Sequence, residues 1–205
     1  MSVQFRSPGG SPRFDRTPTL PFQAVCLCHW DSQIDYGMTV SNLRELFVHD
    51  LEDILYAENK LLDALDSLAE ETDDDEITQA FRDHREETRD HVDRLEHVFE
   101  QLGREPEREE CEGIEGLITE HEGFLDMDPE QEVLDFHNLV AAQKTEHYEI
   151  AAYGNLAVIA DRLGEDELGD VLHETLEEEK EALDRLATLT EDFNVQQITE
   201  SAADD

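Results

Sequence analysis

Residues 141–154 read Ala141-Ala142-Gln143-Lys144-Thr145-Glu146-His147-Tyr148-Glu149-Ile150-Ala151-Ala152-Tyr153-Gly154, inside a long pattern of helical period. The apolar positions Val133, Phe136, Leu139, Tyr153, Leu156 and Ile159 define one face. Glu146 and Glu149 interrupt that face on successive turns, where core residues belong. The pattern predicts a helix opened by Asp128-Pro129, as N-cap and first-turn proline, and stopped by Gly164.

Three more helices follow from the same periodicity. Leu51, Ile54, Leu61, Leu65 and Leu68 place a first helix at about residues 41–71. After the capping residues Thr72-Asp73-Asp74, a second runs on Ile77, Ala80, Leu95, Val98 and Leu102 to Gly103. The last spans about residues 165–192 on Leu168, Val171, Leu186 and Leu189. Two links are tight, so each helix pair is an antiparallel hairpin. Residues 103–128 form a far longer connection than the roughly 2–8 residues usual between neighbouring helices, and Gly113–Met127 reads as a short helix within it. A link of that length crosses the bundle end to end. The expected fold is all-α, a ferritin-like antiparallel four-helix bundle over residues 38–192 with a long crossover carrying a short helix.

The two hairpins repeat each other. A shift of 91 residues lays Leu65 on Leu156, Ile77 on Leu168, Phe81 on Leu172, and Asp93-Arg94-Leu95 on Asp184-Arg185-Leu186. It also lays Glu58 on Glu149 and Glu87 on Glu178. Each acid pair is 29 residues apart and straddles its turn, so the two carboxylates of a hairpin lie level, roughly 22 Å from the turn at about 1.5 Å per residue. Glu58 interrupts the stripe of the first helix, His84, Glu87 and His91 that of the second, and Glu178 continues the line of the last.

Carboxylates facing one another in a core either force the helices apart or hold protons, because an unpaired buried charge costs several kcal/mol. A pair of cations removes the conflict. Glu58, Glu87, Glu146, Glu149 and Glu178, with His84 and His91, are therefore the candidate ligands. Oxygen-rich ligation with one or two imidazoles suits two iron or manganese ions better than zinc. His147, Tyr148 and Tyr153 flank the proposed site, and Cys111 has no evident ligand partner.

Composition narrows the function further. Fifteen Lys and Arg oppose 54 Asp and Glu, for a formal charge of −39. Nucleic acid and anionic membrane surfaces are repelled by such a protein. Only Lys60, Lys144 and Lys180 are lysines, a surface expected of the cytoplasm of a salt-adapted microbe. No apolar run approaches the roughly 18 residues of a membrane span, and three cysteines in no framework spacing fit a reducing compartment. Residues 1–37 hold four of the six prolines and three Arg against three Asp, so the whole net charge lies beyond them. They read as a disordered arm or as an extension upstream of a native start at Met38. Within them, Cys26-Leu27-Cys28-His29 lacks a second ligand pair and is no metal motif. Residues 193–205 read as an acidic disordered tail.

Leu46-Phe47-Val48-His49-Asp50-Leu51 with Ala57-Glu58, His84-Arg85-Glu86-Glu87-Thr88, Gly113-Ile114-Glu115-Gly116-Leu117-Ile118, the 141–154 stretch and Glu174-Thr175-Leu176-Glu177-Glu178-Glu179-Lys180 together resemble the YciE/YciF-type ferritin-like proteins. The resemblance covers about residues 41–192 and implies a rubrerythrin-like bundle, a homodimer and a role in stress responses. Ferritin-like di-metal sites carry Glu-x-x-His on two helices. Here the second helix offers His84-x-x-Glu87 in reverse or Glu87 with His91, and the last has no histidine near Glu178. Glu146-x-x-Glu149 does resemble the rubrerythrin arrangement.

Two functions follow as expectations. The first is a non-haem di-iron or di-manganese protein acting on peroxide, dioxygen or ferrous iron. The second is a non-catalytic dimeric helical stress protein with a vestigial or empty site, its inward acids protonated, hydrated or paired with Arg82, Arg85 or Arg89.

Overall fold

The computed structural model describes residues 40–106, 110–195 and 198–199. The arm assigned to residues 1–37 therefore lies outside the described residues, as does most of the expected tail. Five helices follow in order: α1 (Leu43–Glu71), α2 (Asp75–Leu102), α3 (Glu112–Leu125), α4 (Gln131–Leu163) and α5 (Asp166–Asp192). The architecture is the expected one. Helices α1 and α2 pair as one hairpin and α4 and α5 as the other; α1 packs on α4, α2 on α5, and α3 lies against α4 and α1.

Local chemistry fixes the ends. The Asn42 carboxamide oxygen accepts the Arg44 and Glu45 amides at 3.1 and 3.0 Å, and the Asp74 carboxylate accepts those of Glu76 and Ile77. Gly103 and Gly164 close α2 and α4 at φ 65° and 76°, left-handed values that glycine adopts without strain. The expected Asp128 cap is corrected. Asp128 has φ 55° and donates its amide to Leu125, so it finishes the turn after α3, and α4 begins at Gln131 behind Glu130. Phe193 packs its ring 5.4 Å from Phe136, so ordered packing reaches past residue 192.

Two apolar clusters fill the bundle. One joins Phe47, Leu51, Ile54 and Leu61 to Leu95, Val98, Leu156 and Leu172; the other joins Leu65, Leu68, Ile77, Phe81, Leu139, Ala142 and Leu186. Between them, α2 and α4 carry consecutive buried polar residues: His84, Thr88 and His91 on one, Glu146 and Glu149 on the other. Glu58 of α1 and Glu179 of α5 are buried with them. The bundle is thus two hydrophobic ends around a polar middle.

Candidate metal centre

Six side chains from four helices meet in that middle: Glu58 from α1, His84 and His91 from α2, Glu146 and Glu149 from α4, and Glu179 from α5. They form two groups, each with ligand atoms within 4.8 Å of one another: His84, Glu146, Glu149 and Glu179, and Glu58, His91 and Glu179. Glu179 belongs to both. All six are at most 6% exposed, so water does not solvate the charge.

Five of the seven residues expected as ligands come together; Glu87 and Glu178 do not enter the cluster and are half-exposed. Glu87 accepts from Arg185, and Glu178 from Arg94. The physical reason lies in helix phase. Seven residues beyond Glu87 and Glu178 stand Arg94 and Arg185, so those lines leave the core, whereas Glu179 shares its line with Leu172 and Leu186. In α2 the line Phe81, Thr88, Leu95 and the line Ile77, His84, His91, Val98 both run inward. Sequence reasoning missed Glu179, although its apolar neighbours at seven-residue spacing were a usable signal.

The correct phase also exposes a split motif. The 91-residue shift lays Thr88 on Glu179 and His91 on Ala182. Where a symmetric di-metal bundle carries Glu-x-x-His twice, α2 offers Thr88-x-x-His91 and α5 offers Glu179-x-x-Ala182. Each hairpin retains the half that the other lacks. Glu146 and His84, whose counterparts are Leu55 and Thr175, add one carboxylate and one imidazole.

Distances inside the cluster are short without being satisfied. His84 Nε2 lies 2.9 Å from Glu146 Oε1, and His91 Nδ1 lies 3.0 Å from Glu179 Oε1 and 3.6 Å from Glu58 Oε1. Yet Glu58 Oε2, both oxygens of Glu146, Glu149 Oε2, both oxygens of Glu179 and His91 Nδ1 are buried and accept or donate no aligned hydrogen bond. Tyr153, fully buried, donates its hydroxyl to Glu58 Oε1. Unpaired oxygens in this number are rare inside proteins and fit a cation. The residues present therefore suit a metal pair.

The electrostatics agree. Burial pushes the carboxyls of Glu58, Glu149 and Glu179 upward; repulsion from Glu179 adds to the effect on Glu58, and that from Glu179, Glu58 and Glu146 to the effect on Glu149. Desolvation alone would lower both histidines, but the carboxylates around them prevail and raise His84 to about 10 and His91 to about 11.

The other flanking residues have different places. His147 is exposed, and Tyr148 sits in a separate network, donating to Asp53 at 2.7 Å with Cys111 Sγ 3.0 Å away. Arg85 binds Asp66 at 2.7 Å, Arg89 binds Glu86 at 2.7 Å, and Arg82 is exposed. The surface pairings of Arg85 and Arg89 direct them away from the inward acids.

The family model of DUF892, a domain of unknown function, matches residues 42–203. The chain belongs to this family. It is 40% identical over 144 residues to Protein YciF of Escherichia coli, covering 70% of this chain and 87% of that protein. Among solved structures, that of the E. coli stress protein YciF matches with a TM-score of 0.70 at 39% identity, covering 73% of this chain and 95% of that one. YcfI from Rhodopseudomonas palustris, given a provisional structural role, matches at 0.72 and 36% identity, covering 75% of this chain and 98% of that one. A protein from Xanthomonas campestris shares the fold at 20% identity, with a TM-score of 0.63 and 78% and 99% coverage. Among the described residues no helix is long and apolar enough to cross a membrane.

Proposed function

We propose that the buried cluster holds two iron or manganese ions and that the protein handles peroxide, dioxygen or ferrous iron during stress. The observation that carries this reading is the set of six buried carboxylate oxygens without hydrogen-bond partners, converging with two imidazoles. His84, Glu146 and Glu149 would hold one ion, Glu58 and His91 the other, and Glu179 would serve both. Such ions supply redox cycling towards peroxide or dioxygen. The chain's own residues orient the ligands: Tyr153 occupies one oxygen of Glu58 and leaves the other free. The two apolar clusters on either side restrict water.

Anaerobic reconstitution with Fe(II) or Mn(II), followed by elemental analysis, tests the reading. Two ions per chain are expected, with loss of both in Glu179→Ala and retention in Glu177→Ala, which changes the same charge on an exposed position. Less than one ion per wild-type chain would overturn it. The provisional structural role of YcfI favours a second reading, a non-catalytic helical stress protein. On that reading Glu58→Gln with Glu149→Gln changes neither metal-dependent stability nor peroxide consumption.

A further inference from the structure

The geometry assigns Glu87 and Glu178 as positioning residues that fix opposite tautomers on the two histidines of the cluster, each anchored by an arginine from the facing helix. This rests on the metal-binding reading above and adds a role for residues outside the ligand set.

The observations form a reciprocal pattern. His84 turns Nε2 towards Glu146 and donates from Nδ1 to Glu87 Oε2 at 3.3 Å. His91 does the converse, turning Nδ1 towards Glu58 and Glu179 and donating from Nε2 to Glu178 Oε2 at 3.0 Å. Behind each carboxylate stands one arginine. Arg185 of α5 donates to the same Oε2 of Glu87 on α2. Arg94 of α2 grips both oxygens of Glu178 on α5, at 2.9 Å for the Nη2 contact, and also reaches Thr175 Oγ1 at 3.2 Å.

The 91-residue repeat maps Glu87 onto Glu178 and Arg94 onto Arg185, so the two crossings are counterparts in the repeated hairpins. Apart from Glu58 and Glu149, the inner ligands have diverged between the hairpins, as Thr88 against Glu179 and His91 against Ala182 show, while this outer pair is the same in both. An isolated surface ion pair has little energetic reason to recur in this way. A pair that also receives the proton of a buried imidazole does, because a ligating histidine depends on the partner of its second nitrogen for tautomer and ring orientation.

The test uses Zn(II) as a diamagnetic probe on the full chain. Long-range nitrogen–proton NMR of the imidazoles is expected to show His84 protonated on Nδ1 and His91 on Nε2. Glu87→Leu and Glu178→Leu should each weaken Zn(II) binding by about 10- to 100-fold while leaving the stoichiometry at saturation unchanged. Glu178→Gln, which keeps an acceptor, should preserve the His91 tautomer. Glu86→Leu and Glu177→Leu, with the same charge change on exposed positions, should bind as wild type does. Should a leucine variant fail to fold, Arg94→Gln and Arg185→Gln carry the test, with a smaller loss of affinity expected. The same tautomer on both histidines, or wild-type affinity in the folded variants, overturns the assignment and leaves the metal site standing. A wild-type chain that binds no Zn(II), Fe(II) or Mn(II) overturns both.

Discussion

If the buried cluster binds metal as proposed, protons would take the place of cations in the metal-free protein. Glu58, Glu149 and Glu179 have carboxyls raised by burial, so ionising them in the fold is harder than in the unfolded chain. Their contribution to stability therefore falls as pH rises above their ordinary value of 4.5. His84 and His91, raised to about 10 and about 11, stabilise the fold fully below their unfolded value of 6.5 and lose that effect as pH climbs towards those values. Both groups act in one direction. A metal bound there would have to displace these protons, so its affinity would rise over the same range. The difference in melting temperature between metal-loaded and metal-free protein should widen from pH 5 to pH 9. Surface repulsion acts on both forms and cancels in the difference; a constant or narrowing gap would contradict the account.

At the scale of elements, α3 is held by a close fit. A Cβ added to Gly113 would lie 2.8 Å from Tyr148 Cε2, and that ring is fixed by its bond to Asp53 and its contact with Cys111, whose thiol also accepts the Ile114 amide at 3.4 Å. Gly113→Ala should cost about 1–3 kcal/mol through overpacking, read in chemical denaturation, and should raise hydrogen exchange in α3 before the four long helices. Exchange that rises equally everywhere would show that α3 is not a separate unit. The long helices were legible in sequence because their stripes persist over many turns and glycines end two of them. Glu179 was less legible because Glu178 is only about 100° away on the same helix, and four acids within Glu174–Glu179 blur the boundary of the face. Arg94 and Arg185 resolve that boundary, but only once they are read as the outer ends of the lines through Glu87 and Glu178. The short turn before α4 was misread because Asp128-Pro129 has the composition of a helix start, whereas the backbone at Asp128 is left-handed.

For the whole molecule, a formal charge of −39 on 205 residues makes self-repulsion a large opposing force. Salt shortens its reach, from about 10 Å at 0.1 M to about 3 Å at 1 M. If the chain is adapted to a concentrated cytoplasm, its melting temperature rises steeply between 0.1 and 2 M KCl, whereas insensitivity to salt would contradict that adaptation. The same charge concentrates cations at the surface, and on the proposed function two of them would relieve a conflict built into the core. Diffraction from crystals of the reconstituted protein, recorded at the iron or manganese absorption edge, tests this most directly. The account predicts two anomalous peaks among Glu58, His84, His91, Glu146, Glu149 and Glu179, with Glu179 touching both; a cluster without anomalous density, or density at the surface alone, would contradict it.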